Sequence, residues 1–359
     1  MRNFETFPEQ EAAKRLLRAA LADGPVHAYL FHGPRGVGKR RAALAFAGEL
    51  LGDPARVERR AHPDVYVLEP LGEQIRIDDI RALRRDLHLR PFEADRRVYL
   101  VFGADRMNED AADALLKDLE EPPAYVCVVL VADELGSLPE TIRSRCQAVP
   151  FRRLSERAVR AEIARLAPGL ADDQARAFAR VASGRLDRAR RLLDADAIER
   201  RTALLGVARG VYRDSGFEPS EAAATLLEGT RARGVSAKDD EVRRLEAFDL
   251  PTREAEQRAR RAQHGAEREE LLAGLEELAA WYRDLVVVAA GAEGAVTHAD
   301  RLAELVEDGT RDRMVGAERA AETVRETWRV LEEFNLNPGL ALEALFIRLR
   351  RELAGPVAA

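Results

Sequence analysis

One stretch near the start of the chain decides the fold; residues 28–40 read Ala28-Tyr29-Leu30-Phe31-His32-Gly33-Pro34-Arg35-Gly36-Val37-Gly38-Lys39-Arg40. The stretch begins as a short apolar run, which predicts a buried strand that ends at Gly33-Pro34. A helical pattern follows from Arg40 to Leu51. The G-x-x-x-x-G-K spacing between a strand and a helix predicts a phosphate-binding loop. Its glycines let backbone N–H groups converge on phosphate, and the helix N-terminus adds a favourable dipole.

The candidate phosphate-binding residues of this loop are Gly33, Gly36, Gly38 and Lys39. Lys39 is informative because the chain contains only four lysines among 57 basic residues. A glycine-rich turn used only for packing is the alternative, and the full spacing favours the phosphate loop. The next residue is Arg40, where the motif calls for a Ser or Thr whose hydroxyl coordinates Mg²⁺. A bulky cation cannot ligate a metal ion and repels it.

A second departure lies in the apolar run from Val98 to Phe102, which predicts a buried strand. An active nucleotide hydrolase of this architecture needs an acidic pair at the end of that strand, one residue for Mg²⁺ and one for water. Here the strand ends in Phe102-Gly103, and the first carboxylate is Asp105. Asp105 could reach inward, but we expect it to contribute to the start of the helix at Asn108. Together, the two departures predict a site that does not hydrolyse nucleotide.

Outward from this stretch, short apolar runs alternate with amphipathic segments as far as Phe151. That alternation predicts an α/β fold with a parallel sheet. The predicted strands are residues 28–31, 64–68, 98–102 and 126–132, and the predicted helices are 8–23, 40–51, 78–89 and 108–121. Asp78 is the expected cap of the third of these helices. After Phe151 only helices are predicted: 155–166, 172–182, 185–193, then longer ones that include 254–290, 318–334 and 338–353.

Composition excludes several classes of protein. The 359 residues are 46% hydrophobic and 33% charged, with a formal net charge of -6 and two cysteines, Cys127 and Cys146. No apolar run reaches the length of a membrane span, and the first ten residues do not resemble a secretory signal. Two cysteines are too few for a disulfide framework or a thiolate zinc cage. The net charge argues against a protein that coats nucleic acid by bulk charge. We expect a cytoplasmic protein with no membrane partner.

A further segment follows the strand at residues 126–132. Ser137 and Glu140 have capping-box spacing and Pro139 suits a first helical turn, so a short rigid helix is predicted, with Arg145 leaving its far end. In a chain with 53 arginines, the simplest interpretation of any one of them is a surface ion pair that contributes little to stability.

Several segments together resemble the delta-prime subunits of the bacterial DNA polymerase III clamp loader, which are AAA+ proteins. The segments are His27–Gly33, His62–Asp64, Ala104–Asn108, Ala114–Pro123, Leu138–Cys146 and Asn335–Glu343. The resemblance is dense over residues 26–152 and thin over 195–330. The lost magnesium ligands favour the delta-prime type over the ATP-hydrolysing gamma/tau type.

The resemblance implies an AAA+ α/β domain with a degenerate phosphate loop at residues 1–152, a helical lid at 153–195 and an all-helical collar domain at 196–359. It also implies a hetero-oligomer with gamma/tau and delta subunits, which loads a sliding clamp on primed DNA during replication. Ser144-Arg145-Cys146 matches the family's Ser-Arg-Cys motif. By that match Arg145 is an arginine finger, acting in trans on a neighbouring subunit's ATP, with Ser144 and Cys146 as its motif neighbours.

This chain departs from the resemblance in places. Residues 51–62 contain no cysteine, so the zinc module of many relatives is not expected, nor is any other metal site. The sensing Thr or Ser at the end of the fourth strand is replaced by Ala132-Asp133. The lid arginine that senses phosphate corresponds to Asp187, with Arg185 and Arg188 adjacent, which leaves its identity open. We expect no required cofactor and weak or no nucleotide binding.

The function predicted is a non-hydrolysing clamp-loader subunit that is not an ATPase by itself. One alternative is an active gamma/tau-type AAA+ ATPase that uses Lys39 with unconventional magnesium ligands. Another is an autonomous DNA-binding module built from the helical C-terminal half.

Overall fold

The computed structural model describes residue 4 and residues 7–70, 74–245, 252–334 and 336–354. Asn335, the first residue of the C-terminal segment quoted above, lies outside the described residues. The chain divides into two compact units. One consists of residues 1–162 with 184–187, and the other of residues 163–183 with 188–359. The first unit contains the sheet.

Five parallel strands form this sheet. They are β1 (Ala28–His32), β2 (Val65–Leu68), β3 (Arg97–Phe102), β4 (Val126–Ala132) and β5 (Gln147–Pro150). Their spatial order is β2-β3-β4-β1-β5. β1 pairs with β4 in the register Ala28↔Val128, and with β5 in the register Tyr29↔Gln147. Because all the strands are parallel, their carboxyl ends lie at one edge of the sheet, beside the turn that follows β1.

Helices cover both faces of the sheet. They are α1 (Glu11–Asp23), α2 (Lys39–Leu51), α3 (Pro54–Glu58), α4 (Ile77–Leu87), α5 (Glu109–Glu120) and α6 (Glu140–Arg143). Successive strand residues point to opposite faces. Phe31 therefore packs with Phe46 of α2 in one apolar cluster, while Leu30 packs with Leu115 of α5 in the other. The predicted parallel α/β sheet is confirmed.

Two short elements of this unit were not predicted. α3 begins at Pro54, and the side chain of Asp53 accepts a hydrogen bond from the Arg56 N–H at 3.1 Å. Both are ordinary helix-start signals in a segment too short to show a period. β5 is an edge strand with only Val149 buried, so it contains no apolar run to reveal it.

The predicted capping box at Ser137 and Glu140 is wrong, although the short helix itself is confirmed as α6. Residues Leu135–Ser137 form a separate 3-10 turn, and α6 starts after Pro139 without a side-chain cap. Ser137 loses the capping position because the chain is extended at Leu138 and Pro139, which separates the serine from the helix.

Asp78 is likewise not the cap of α4. The chain is extended at Arg76 and becomes helical at Ile77, so Asp78 lies inside the first turn. The next carboxylate, Asp79, then reaches back to the start of the helix. Its side chain accepts a hydrogen bond from the Arg76 N–H at 2.9 Å.

The rest of the described chain is helical, as predicted. The helices are α7 (Glu156–Leu166), α8 (Asp172–Ala182), α9 (Leu186–Arg191), α10 (Ala195–Arg213), α11 (Pro219–Leu245), α12 (Thr252–Ala289), α13 (Leu302–Asp308), α14 (Met314–Glu333) and α15 (Pro338–Ala354). Trp281 and Tyr282 of α12 are fully buried in an apolar core shared with Phe346 of α15. The Trp281 indole donates a hydrogen bond to the Tyr212 hydroxyl at 3.2 Å.

One buried carboxylate of this second unit is that of Asp308. Burial alone would raise the pKa of Asp308, but hydrogen bonds from Arg209, Arg213 and Tyr212 outweigh it and lower the pKa. The Arg209 Nε lies 2.6 Å from the Asp308 carboxylate, and the Tyr212 hydroxyl lies 2.9 Å from it. Arg209 and Arg213 therefore link the end of α10 to Asp308, the last residue of α13.

The three-part domain division at residues 152 and 195 stays a prediction. The two compact units place residues 184–187 with the sheet and residues 163–183 with the helices. Within the described ranges, no helix has the length and apolar character needed to cross a membrane.

Asp64, in the quoted His62–Asp64 segment, anchors the loop before β3. Its fully buried carboxylate accepts hydrogen bonds from the N–H groups of Phe92, Glu93 and Ala94 at 2.6, 2.8 and 2.9 Å. Burial alone would raise the pKa of Asp64, but these three donors outweigh it and lower the pKa.

We expect Asp64→Asn to lower the free energy of unfolding by about 2 kcal/mol at pH 7, because an amide NH₂ would face N–H donors in a buried site. The stabilising effect of the wild-type carboxylate is present above the ordinary Asp pKa and is lost as pH falls through the lowered folded-state pKa. The difference between variant and wild type should therefore shrink in acid. Urea unfolding at several pH values measures it, with the exposed Asp95→Asn as the control. An equal effect of both substitutions would contradict this role.

Candidate functional site

The predicted phosphate loop lies between β1 and α2. Gly33, Gly36 and Gly38 have φ angles of 135°, 75° and 100°, in the region that favours glycine. At Gly33 space is also limiting, since a Cβ there would lie 2.2 Å from the backbone oxygen of Phe151. The sequence thus folds into the predicted loop because its glycines supply backbone conformations and close approaches that other residues do not.

Lys39 begins α2 and is almost completely buried, with a relative exposure of 4%. Its ammonium donates to the backbone oxygens of Gly33 and Pro34 at 2.5 and 2.6 Å. It also forms an ion pair with the Asp133 carboxylate at 2.7 Å. An ammonium has three N–H donors. Three acceptors from the protein itself therefore surround the group that a nucleotide phosphate would otherwise engage.

The backbone at Asp133 is held in place by the side chain of Asp105. The Asp105 carboxylate accepts hydrogen bonds from the N–H groups of Asp133 and Glu134, both at 3.2 Å. Burial raises the pKa of Asp105, and the nearby charge of Asp133 raises it further. The expectation that Asp105 helps to start the next helix is wrong. Asn108 caps α5 instead, accepting a hydrogen bond from the Ala111 N–H at 3.1 Å.

Arg40 points away from the phosphate loop. Its guanidinium pairs with the carboxylate of Glu69, just after β2, and lies 4.4 Å from the centroid of the Phe102 ring at the end of β3. Arg60 joins the same carboxylate at 2.6 Å. A hydrolase places its ligands for metal and water at the end of this strand. Here the end of β3 carries the Phe102 ring, with the Arg40 guanidinium over it.

The segment 184–187 lies against the loop within the same unit. The Leu186 N–H donates to the backbone oxygen of Gly36 at 2.7 Å. A Cβ on Gly36 would lie 1.7 Å from a carboxylate oxygen of Asp187, so that side chain lies directly against the glycine. Arg185 donates to the Asp187 carboxylate at 2.8 Å. Of the three residues considered for the phosphate-sensing position, Arg188 instead pairs with Glu277 in the helical unit.

This arrangement does not fit a magnesium nucleotide. The charge of Lys39 is balanced by Asp133, the Arg40 side chain turns to Glu69 and Phe102 and offers no hydroxyl, and Phe102-Gly103 supplies no carboxylate. Across the described ranges, no group of three or more His, Cys, Asp or Glu residues is placed to hold a metal ion.

Arg145 lies between α6 and β5 and is 34% exposed. Its guanidinium donates to the Thr141 backbone oxygen at 2.8 Å and lies 3.4 Å from the Ser144 hydroxyl oxygen. A third contact is an ion pair with Glu120, the last residue of α5. All these partners lie outside the phosphate loop.

The motif neighbours of Arg145 have different surroundings. The Ser144 hydroxyl is exposed and donates to the Thr141 backbone oxygen at 3.2 Å. Cys146 packs against the apolar cluster beneath α6, and burial raises the pKa of its thiol to about 12. The structure therefore brings Gly33, Gly36, Gly38 and Lys39 together, and holds Arg145 in a separate group.

Two acidic residues that matter at these sites were missed from the sequence: Glu69 and Glu120. Glu69 directly follows a strand, but its meeting with Arg40 depends on the spatial order of β2 and β3. Glu120 lies in the quoted Ala114–Pro123 segment, yet nothing in the spacing links it to Arg145. Asp133 was noted only as the replacement of a sensing residue. Its position directly after β4 was the signal that could have placed it near Lys39, because the carboxyl ends of parallel strands lie at the same edge of the sheet.

The strand order and the loop after β1 define a AAA+ α/β domain. Residues 9–155 match the family described as DNA polymerase III, delta subunit. Over those residues the chain is similar to that family, and the predicted resemblance to delta-prime subunits is confirmed.

Three relatives illustrate the similarity. The DNA polymerase III subunit delta' of Bacillus subtilis is 35% identical over 158 residues, which are 41% of this chain and 48% of that one. The delta' subunit of Pseudomonas aeruginosa is 38% identical over 142 residues, 35% and 43% of the two chains. The tau subunit of Bacillus subtilis is 32% identical over 170 residues, 44% and 30% of the two chains. The matched region spans less than half the length of each relative.

The position of the Lys39 ammonium can be tested through His32 at the end of β1. Burial lowers the pKa of His32, and the charge of Lys39 lowers it further. We expect Lys39→Met to raise the His32 pKa only part of the way to its ordinary value, because the burial remains. NMR titration of the imidazole ring measures this change. The exposed Lys117→Met is the matched control, and an unchanged His32 pKa in Lys39→Met would contradict the placement.

Proposed function

We propose that this chain is a non-hydrolysing subunit of the DNA polymerase III clamp loader. In that role it joins gamma/tau and delta subunits in the ATP-dependent loading of a sliding clamp on primed DNA. The match of residues 9–155 to the delta subunit family supports the assignment. Contact with the clamp and DNA is assigned to the assembled complex. The cytoplasmic location stays a prediction.

One observation carries the non-hydrolysing role: the Lys39 ammonium already has three acceptors from its own chain. A phosphate would have to displace the Asp133 carboxylate, and among the described residues no group placed to hold a metal ion replaces the hydroxyl lost at Arg40. The loop is therefore a structural connection between β1 and α2. Its glycines retain the shape of a nucleotide site, while its charges are balanced internally.

The second part of the proposal concerns Arg145 as an arginine finger that acts on the ATP of a neighbouring subunit. Its support is the Ser144-Arg145-Cys146 motif together with a guanidinium that is part-exposed and lies outside its own phosphate loop. An arginine finger stabilises the charge that develops during phosphoryl transfer. This subunit then contributes one group to a reaction whose nucleotide is bound elsewhere.

The gamma/tau-type ATPase remains the second candidate because the tau subunit of Bacillus subtilis is also similar to this chain. In that case Lys39 would leave Asp133 and bind a phosphate. The two candidates differ in whether the isolated chain turns over ATP.

Arg145→Ala in a reconstituted clamp loader should lower clamp-stimulated ATP hydrolysis at the neighbouring site by about 10³- to 10⁵-fold, the range known for arginine fingers. Arg145→Lys should restore little, because an ammonium lacks the planar fork of guanidinium. Steady-state ATPase with clamp and primed DNA measures the loss once hydrolysis at the other sites is blocked. Arg15→Ala, at an exposed position of α1, is the control. Normal hydrolysis in Arg145→Ala would remove the finger assignment.

The isolated chain should show no ATP turnover and no magnesium-dependent nucleotide binding. Arg40→Thr alone should not create activity, because Lys39 remains paired with Asp133 and β3 still ends without a carboxylate. Equilibrium binding of a fluorescent ATP analogue with Mg²⁺ or EDTA, together with a phosphate-release assay, tests this. Turnover that is abolished by Lys39→Ala would instead favour the gamma/tau-type ATPase.

A further inference from the structure

The side chain of Arg145 is held by two neighbouring helices. Thr141 of α6 offers its backbone oxygen to one terminal nitrogen of the guanidinium at 2.8 Å. Glu120, at the end of α5, pairs with the other terminal nitrogen. The guanidinium is therefore gripped at both terminal nitrogens, which restricts a side chain that would otherwise sample many rotamers.

The contacts of Arg145 within the chain leave some of its N–H donors available. A guanidinium carries five N–H groups in a planar fork, and the contacts with Thr141, Ser144 and Glu120 do not use all of them. The Arg145 side chain is still 34% exposed. An acceptor on another molecule can thus approach the remaining N–H groups without dismantling the contacts within the chain.

Glu120 is suited to orienting the Arg145 guanidinium because its backbone is fixed. It ends α5, whose preceding residue Leu119 is buried in the apolar cluster beside the sheet. The following N–H, that of Glu121, closes the helix on the Lys117 oxygen at 3.2 Å. A carboxylate on a rigid helix end holds a guanidinium in a defined direction better than one on a mobile loop.

The charge of Glu120 does not prevent a phosphate from approaching. Its side chain is 47% exposed, so water and salt screen its repulsion of an anion at longer range. The pair adds little to stability for the same reason. Its effect is on the orientation of Arg145.

We propose that Glu120 is the positioning residue for Arg145, holding the guanidinium so that its outer edge faces the nucleotide of the neighbouring subunit. This inference rests on the proposed finger role of Arg145. It adds a residue outside the Ser144-Arg145-Cys146 motif to the group that determines the rate at the neighbouring site.

The test compares Glu120→Gln with Glu121→Gln in the reconstituted complex. The Glu120→Gln substitution keeps the length of the side chain and removes its charge. The adjacent Glu121 is exposed, and within the described chain its side chain forms no ion pair or hydrogen bond.

We expect Glu120→Gln to lower kcat for ATP at the neighbouring site about threefold to tenfold, the cost of leaving one long side chain unordered. Because the finger acts in the transition state, the KM for ATP should stay unchanged. Glu121→Gln should behave as wild type.

Combination with Arg145→Ala distinguishes the two proposals. If Glu120 acts through Arg145, adding Glu120→Gln to Arg145→Ala should cause no further loss. A Glu120→Gln deficit that persists in the Arg145→Ala background would overturn the positioning role, and so would equal kcat values for Glu120→Gln and Glu121→Gln while Arg145→Ala is inactive. Full activity of Arg145→Ala would instead defeat the finger itself. Thermal unfolding of each variant checks that the fold is intact.

Discussion

The central place of β1 in the sheet is the constraint on which the other features depend. β1 pairs in parallel with β4 on one side and β5 on the other. The loop after β1 therefore opens beside the end of β4, where Asp133 lies, and Lys39 at the start of α2 meets that carboxylate. On the other side, β5 begins at Gln147, directly after the Ser144-Arg145-Cys146 motif. Its residue Val149 lies opposite Phe31 of β1.

This geometry explains how the glycine-rich loop accommodates the buried ammonium of Lys39. A buried ammonium without partners would be costly, so the protein must supply acceptors where a phosphate would otherwise do so. The backbone oxygens of Gly33 and Pro34 and the carboxylate of Asp133 meet that need. Arg40, turned toward Glu69 and Phe102, keeps its charge solvated and paired outside the loop. The loop can then retain its shape with no metal ion to organise it.

Much of the fold was predictable from residue patterns. The apolar runs at β1, β3 and β4 match the observed strands to within one residue at each end, because burial on both faces leaves a continuous apolar signature. The amphipathic helices around them match less closely, since α1 begins at Glu11 rather than at the predicted residue 8. β5 and α3 were missed because a short edge strand and a one-turn helix carry no such signature. The capping assignments at Ser137 and Asp78 failed because they depend on the residue at which the backbone turns helical, which spacing alone does not settle.

By itself, the sequence determined that a glycine-bearing loop joins a buried strand to a helix, that an arginine replaces the hydroxyl residue after Lys39, and that an arginine motif follows a short helix after the strand at residues 126–132. These are local properties, since backbone conformation and side-chain chemistry are set by the residue and its near neighbours. Only the tertiary structure decided which carboxylate meets which cation: Asp133 with Lys39, Glu69 with Arg40 and Glu120 with Arg145. Those pairs join segments far apart in the chain, and in a protein with 53 arginines and 63 acidic residues many other pairings satisfy charge equally well. The order of strands and the packing of helices select among them, because ion pairing depends on distance and direction.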